Sequence, residues 1–559
     1  MLSQILIVMI AAIAVTIVAE RRDIQPPLLL ASVGLLASFI PGLERLELEP
    51  EIILTVVLPP LLFSAAREFS LVSFLRRLGS IVNLGVLLVV VTAGAVGFVA
   101  SHLVPGMSIA AALVLGAVVS PPDAVTAVAV GRKLNLPASM MTVLKGESLI
   151  NDAAALTLFT FAAASVTGAH LLIPNFFLYL LYSAFVGIAL GSLIGVVVHR
   201  VRLRLVNPSL STVLGVIVPF AAYLLAEELG ASGVLAVVAA GLSLGHSSSE
   251  SHYAARLQEQ QFWRTADSLL EAFVFAYIGL QLRFVIEDVA ESGLPLPELL
   301  GMALAVLVTV IATRLAWVFA TGWLARRRDA AIRERLAAPR PPGRELSPRL
   351  AARQEERRRR FELLPPFTWR ENVVIGWTGM RGVVTLAAAA GIPFATASGA
   401  PFPGRDVIQA IAFVVTMGTL LLQGLTLPLL IRWLGISDPQ GAARRRAQHQ
   451  LGEQLAHEAN VATVAAFRER QTDPKLRHLA DSMLQRLAAQ AAGPDAAMGG
   501  NGPLMVQLAT EMLAARRRAI VKARDEDRLD DEVMREMLEE MDVEQAAMAT
   551  WLPEGEAGS

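Results

Sequence analysis

The sequence predicts an all-α polytopic membrane protein of about thirteen transmembrane helices, followed by a small cytoplasmic helical tail domain. Three observations carry that prediction. Of the 559 residues, 54% are hydrophobic and only 17% charged, with a mean hydropathy of +0.54; a soluble domain has roughly 25% charged residues. The charges are segregated, with 21 in residues 324–371 and 36 in residues 437–559. The apolar remainder divides into runs long enough to cross about 30 Å of hydrocarbon.

In order, these runs lie near residues 3–19, 26–42, 51–66, 80–103, 107–130, 139–165, 171–199, 210–226, 232–245, 266–283, 297–323, 371–394 and 406–434. The third and ninth are short. No basic segment precedes the first, so it reads as a retained span, not a cleaved leader. Lysine and arginine gather in one set of alternate loops: Arg21, Arg22, Arg67, Arg76, Arg77, Arg132, Lys133, Arg200, Arg202, Arg204, Arg256, Arg264 and the stretch from Arg326 to Arg370. The other set holds Arg45, Arg283 and Arg405. Basic residues stay on the cytoplasmic side, so an external N-terminus, an odd number of spans and a cytoplasmic C-terminus are expected, in a cell membrane.

The membrane domain is therefore placed at residues 1–436 and the tail at 437–559. The tail carries 15 basic and 21 acidic residues. Its stretches 451–492 and 504–550 have helix-like apolar spacing, separated by a glycine-rich linker at 493–503. The basic stretch from Arg326 to Arg360, with Pro339, Pro341 and Pro342, reads as a solvated loop or surface helix, or else an anionic-lipid site. The formal net charge of −1 gives no reason to expect nucleic acid, and the absence of cysteine excludes disulfides, zinc-thiolate sites and thiol nucleophiles. No Gly-x-Gly-Asp or Gly-x-Ser-x-Gly motif supports an intramembrane protease, so neither an enzyme nor a cofactor is expected. A passive cation channel is the nearer rival to a transporter.

Five charges fall well inside apolar spans: Asp123, Glu147, Asp152, Arg314 and Arg381. Each costs at least about 2.5–3.5 kcal/mol at the bilayer centre, so each should face protein or a water-filled cavity. Counted along the helices at 1.5 Å per residue, all five lie roughly 12–20 Å from the cytoplasmic edge. Convergence from four spans at one depth reads as an ion pathway. In Ser120-Pro121-Pro122-Asp123 neither proline donates a helical hydrogen bond, so the fifth span should break and release carbonyl groups in mid-membrane. Asp123 would cap the second half-helix and face a cation. In the sixth span, Ser148 and Asp152 share one helical face, and Glu147 and Asn151 the adjacent strip. Oxygen atoms of Asp152, Ser148, Asp123 and the Pro122 region suit a hard monovalent cation, by the logic that governs calcium and magnesium. A proton and a cation would compete for the carboxylate of Asp152. Arg314 needs a partner that stays ionised; Glu147 is the natural one, although pairing of Glu147 with Arg381 is an alternative. The glycine-rich Gly376–Gly382 stretch can break the twelfth span, where Arg381 would offset carbonyl dipoles. Interrupted fifth and twelfth spans, seven apart and so antiparallel, suggest inverted repeats of spans 1–6 and 8–13, the arrangement of secondary transporters.

These motifs, LPPLLFSAA (58–66), SPPDAVTAVA (120–129), GESLINDAAAL (146–156), IGLQL (278–282) and GMRGVVTLA (379–387), resemble those of bacterial sodium/proton antiporters of the NhaP type, relatives of the eukaryotic sodium/proton exchangers. The resemblance runs from about residue 20 to 435, and residues 516–548 resemble the tails of bacterial members. It implies a homodimer whose core domain, with two broken crossing helices, moves against a dimerisation domain. It further implies exchange of Na+, or Li+ or K+, for H+, with Asp152 as carrier, Asn151 as its neutral partner, Ser148, Asp123 and Pro122 as further ligands, a Glu147–Arg314 pair, and Arg381 supporting the broken helix. An Asn-Asp pair usually accompanies electroneutral one-for-one exchange. Two departures stand out. Pro122 replaces a common threonine, leaving only its carbonyl as a ligand. Lys145 lies seven residues before Asp152 on nearly the same face, where it snorkels toward water or repels cations.

Overall fold

A computed structural model describes residues 2–22, 24–41, 52–169, 173–205, 207–250, 252–291, 295–337, 366–436, 438–488 and 503–549. The basic stretch from residue 338 onward and the linker up to residue 502 lie outside the described residues. Among the described residues the chain is helical, apart from one isolated antiparallel bridge between Ala395 and Pro401.

The membrane part begins with α1 (Leu2–Arg21), α2 (Pro26–Ala37) and α3 (Leu58–Glu68), the last entered through a π turn at Ile53–Val57. Next comes α4 (Leu71–Val82), which continues through a second π turn at Asn83–Leu87 into α5 (Leu88–Leu103). Then follow α6 (Ile109–Val119), α7 (Val125–Lys133), α8 (Ala138–Thr167), α9 (Phe176–Arg202), α10 (Pro208–Glu228), α11 (Gly233–His246), α12 (Tyr253–Leu280), α13 (Leu282–Glu291), α14 (Leu296–Ala337), α15 (Trp369–Trp377), α16 (Val383–Ala390) and α17 (Arg405–Leu434). The tail adds α18 (Pro439–Arg470), α19 (Pro474–Ala488), α20 (Pro503–Asp525) and α21 (Asp531–Ala549).

Among the described residues, eight helical segments are long and apolar enough to cross a membrane: Ser3–Arg21, Leu71–Leu103, Ala138–Thr167, Phe176–Arg202, Pro208–Glu228, Tyr253–Glu287, Leu296–Glu334 and Arg405–Leu434. Large apolar side chains such as Ile7, Phe98, Phe177 and Phe185 face outward, as expected of a surface solvated by hydrocarbon. Turn chemistry starts the helices: Ser108, Asn207 and Ser232 accept the N–H of Ala111, Ser209 and Leu235 at 3.2, 2.9 and 3.2 Å, and Thr368 and Glu371 form a reciprocal capping box on α15. Close packing sets the spacing. A Cβ on Gly34 would lie 2.9 Å from the Gly279 Cα, so α2 and α12 meet backbone to backbone, which only small residues permit.

Several helix limits differ from the apolar runs. α4 begins at Leu71 instead of near 80, α12 at Tyr253 instead of near 266, and α14 continues to Ala337 instead of ending near 323. Hydropathy marks the part of a helix in hydrocarbon, whereas caps and backbone hydrogen bonds set its ends; Arg76, Arg77, Glu259, Arg326 and Arg327 are helical but too polar for an apolar window. Each helix-like tail stretch is likewise two helices. Leu513, Ile520, Val533, Met537 and Met541 form a tail core separate from the membrane clusters. The tail rests on the arginine-rich ends of the spans: Arg535 donates to the carbonyls of Arg67 and Phe69 at 3.0 and 3.4 Å, and Arg256 holds Asp542 through two bonds of 2.5 and 2.7 Å.

Candidate ion site between two interrupted helices

α6 ends at Val119 and α7 starts only at Val125, because Pro121 and Pro122 have no N–H to continue the ladder. α15 and α16 are similarly parted by Thr378–Gly382. The two interruptions touch: the Asp123 N–H donates to the Met380 carbonyl at 2.5 Å. Asp123 Oδ1 accepts the Val125 N–H at 2.9 Å and so caps α7. Its Oδ2 lies against Gly382, the residue before α16, where any Cβ would overlap it. One carboxylate therefore stands at the N-terminal ends of both second half-helices, where peptide dipoles are positive.

Arg381 supplies the opposite charge at the opposite ends. It is 1% exposed, and its guanidinium donates to the carbonyls of Val119 at 2.9 Å, Ser120 at 3.4 Å and Gly379. Its own N–H is held by Thr419 Oγ1 of α17 at 3.0 Å. These are carbonyls that the breaks release, and without a donor each would be an unsatisfied acceptor inside the membrane.

α8 runs past both breaks and brings the remaining residues to them. Glu147 and Arg314, each 2% exposed, form a two-pronged ion pair at 2.5 and 2.9 Å, and Arg314 Nε also donates to the Ile375 carbonyl at 3.2 Å. Arg381 feels the charges of both but bonds backbone carbonyls instead. One turn on, Asn151 is fully buried; its Nδ2 donates to the Pro122 carbonyl, leaving Oδ1 buried with no partner among the described residues. Asp152 is 8% exposed, and none of the described residues donates to its carboxylate, though it feels the charge of Asp123. Ser148 lies one turn earlier on the same face, half-buried. α8 and the first break thus contribute carboxylate, hydroxyl, amide and main-chain oxygens, atom types that suit a hard cation.

Further buried and half-buried charges lie near the candidate ion site. Ser64 Oγ donates to Asp267 Oδ2 at 2.5 Å between α3 and α12, and Glu271, one turn along α12, feels the charges of Asp267 and Asp123. Glu259 is 5% exposed and clasped by Arg202 at 3.0 and 3.1 Å and by Arg67 at 3.3 Å. The sequence hid this triad because Glu259 lies before the apolar run of α12 and looks solvated; a helix carried back to its cap at His252 would have placed it. Lys145 is half-buried, within the fields of Glu532 and Arg535 of the tail.

A bundle of apolar helices with ionisable groups buried where two interrupted helices meet is the architecture of an ion-coupled membrane transporter. Comparison with known proteins narrows the class. The family described as transmembrane sodium/hydrogen exchanger matches residues 6–433. An uncharacterized Na+/H+ exchanger of Mycobacterium tuberculosis is 33% identical over 552 residues, which is 97% of this chain and 96% of that protein. The Na+/H+ antiporter ApNhaP of Aphanothece halophytica is 28% identical over 458 residues, 80% of this chain and 78% of its own length. The structure of the sodium proton antiporter MjNhaP1 from Methanocaldococcus jannaschii at pH 8 has the same fold, with a TM-score of 0.55 at 18% identity over 78% of this chain and 96% of that one. The chain belongs to the sodium/hydrogen exchanger family: it is a multi-pass cation/proton antiporter of the NhaP type, not an enzyme.

Proposed function

We propose that the protein exchanges one monovalent cation, Na+ first with Li+ and K+ as the other candidates, for one H+ across the cell membrane, and that Asp152 carries both in turn. The observation that carries this reading is the contrast in satisfaction among the buried charges. Glu147, Arg314 and Arg381 have their partners, and Asp123 is compensated by two half-helix ends. Asp152 has none. A buried carboxylate without a donor favours whichever cation or proton reaches it, and one charge that binds either gives electroneutral one-for-one exchange.

In this reading Ser148, Asn151 Oδ1 and the Pro122 carbonyl complete the cation shell, Asp123 adds charge from the facing break, and Asp267 and Glu271 line the approach from the arginine-rich side. The eight long spans, the shorter α2, α3 and α11 and the two broken pairs make thirteen crossings, with the N-terminus outside and the tail in the cytoplasm. The two broken helices are equivalent members of inverted repeats, and the assembly is a homodimer, as the family resemblance implies. The membrane domain ends at residue 436; the tail from 437 regulates exchange, consistent with the contacts of Arg535 and Asp542, and the whole serves pH homeostasis.

The test is collapse of a preset pH gradient in proteoliposomes on adding Na+, Li+ or K+ separately, with the membrane potential clamped at zero. Dissipation by the wild type at a rate unaffected by the clamp, and none by Asp152→Asn, is the expected result. Equal dissipation by the variant would remove Asp152 from the transport step.

A further inference from the structure

A cavity lies away from the candidate ion site, at the arginine-rich ends of α4, α14 and α15. Its volume is about 260 Å³, and its wall includes Arg77, Ser80, Asn83, Arg328, Phe367 and Asn372. Asn372 on α15 is 2% exposed, and its Nδ2 has no hydrogen-bond partner among the described residues. A buried amide donor without an acceptor is costly, because it has given up its hydrogen bonds to water. Space for it is reserved across the cavity at Gly322 of α14, where a Cβ would overlap the Asn372 amide.

The charges around the cavity lean the same way. The Arg77 guanidinium lies over the Phe367 ring, 5.2 Å from its centroid, a stacking that holds its donors in place. Phe367 is itself fixed by Arg326, whose Nη1 donates to its carbonyl at 3.1 Å. Two acidic groups are near. Asp329 itself lines the cavity and is bound by Arg333 at 2.8 Å, and Glu371, which Arg77 feels, accepts the Thr368 N–H at 2.7 Å in the α15 capping box. Among the described residues, the wall therefore carries the guanidinium groups of Arg77 and Arg328, one carboxylate already bound to Arg333, and the unpartnered Asn372 amide packed against Gly322. That pattern recognises an oxyanion, and a guanidinium binds a phosphate more strongly than a neutral donor does. A volume of about 260 Å³ has room for a headgroup-sized anion.

We propose that this cavity is a phosphate-recognition site that takes the phosphoryl group of an anionic lipid headgroup or a free phosphate, joining Arg77 of α4 to Asn372 of α15. Its position at the arginine-rich span ends is where an anionic leaflet concentrates such groups. Bound there, the anion ties the π turn at Asn83–Leu87 to the first half of the second interrupted helix and stabilises the bundle without touching the ion site.

The experiment titrates the full-length chain in neutral detergent with dioctanoyl-phosphatidylglycerol, dioctanoyl-phosphatidylcholine or inorganic phosphate at constant ionic strength, reading thermal unfolding. Wild type should be stabilised by the anionic lipid and not by the choline lipid, with the half-saturating concentration rising about tenfold or more in Arg77→Gln and in Asn372→Ala, and unchanged in Arg370→Gln. A phosphate response equal to that of the glycerol lipid assigns the site to free phosphate; a response to the lipid alone assigns it to a headgroup. Equal stabilisation of wild type and both cavity variants, or of wild type by either lipid alike, overturns the proposal, as does no response to any of the three probes. If one cavity variant does not fold, the other carries the comparison.

Discussion

Glu147 and Asp152 lie five residues apart on α8, both buried, both carboxylates, and they live in opposite surroundings. Glu147 is gripped at two oxygens by Arg314; Asp152 receives no hydrogen bond from any described residue. On the proposed function, the difference separates a structural charge from a working one. Loss of a clamped carboxylate strands a buried arginine. An unclamped one can trade a proton for a cation, and its neutral isostere leaves nothing stranded.

The largest expected effect breaks the comparison on its working side. Asp152→Asn should reduce exchange to background while leaving the melting temperature equal or higher, measured on the same preparation in liposomes and in detergent; exchange above background, or a melting temperature well below wild type, would erase the distinction. On the structural side, Glu147→Ala or Arg314→Ala should destabilise the fold by about 3–5 kcal/mol through the uncompensated partner. The double substitution Glu147→Leu with Arg314→Leu should recover most of that loss in thermal unfolding. An additive double variant would mean that the two charges do not form a unit.

A subtler change sharpens the comparison at Asp123, the carboxylate compensated by helix ends. Gly382→Ala puts a methyl where Asp123 Oδ2 sits and should displace that carboxylate, raising the apparent KM for the cation about tenfold or more with little change in expression. Truncation after residue 437 is expected to shift the pH dependence or lower expression while some exchange persists; complete loss by well-expressed protein would make the tail part of the transport machinery. The smallest effect concerns His252, where the tail meets the cap of α12. Burial, then the charges of Arg256 and Arg517, lower its pKa from the ordinary 6.5, with Asp542 opposing. A docked tail thus binds this proton less readily than a free one, so docking is strongest above about pH 6.5 and weakens as the pH falls below it. Hydrogen exchange of α21 should rise modestly from pH 7.5 to 5.5, and less so in His252→Gln.

Much of this architecture was legible in the sequence, for identifiable reasons. A charge in an apolar run is costly and therefore conspicuous, so Asp123, Glu147, Asp152, Arg314 and Arg381 stood out before any coordinates. Prolines and glycines at 121–122 and 376–382 announced interruptions because their backbone chemistry is local. Pairing was not local: whether Glu147 met Arg314 or Arg381 depended on how α8, α14 and the second break pack. Polar residues at helix ends were harder still, since Glu259 looks solvated until α3, α9 and α12 are brought together. Neutral groups such as Thr419 and Asn372 gave no signal at all, because a hydroxyl or amide in an apolar span costs too little to mark itself out.

The central claim is that one carboxylate, Asp152, binds cation and proton in competition. Its most direct test is the apparent KM for Na+ in proteoliposomes from pH 6 to 9, at zero membrane potential and with the tail intact. Competition at one group requires the KM to rise toward about tenfold per pH unit on the acid side while the maximal rate at saturating Na+ holds steady. A KM that stays flat while the maximal rate falls with pH would place the proton on another group and contradict the account.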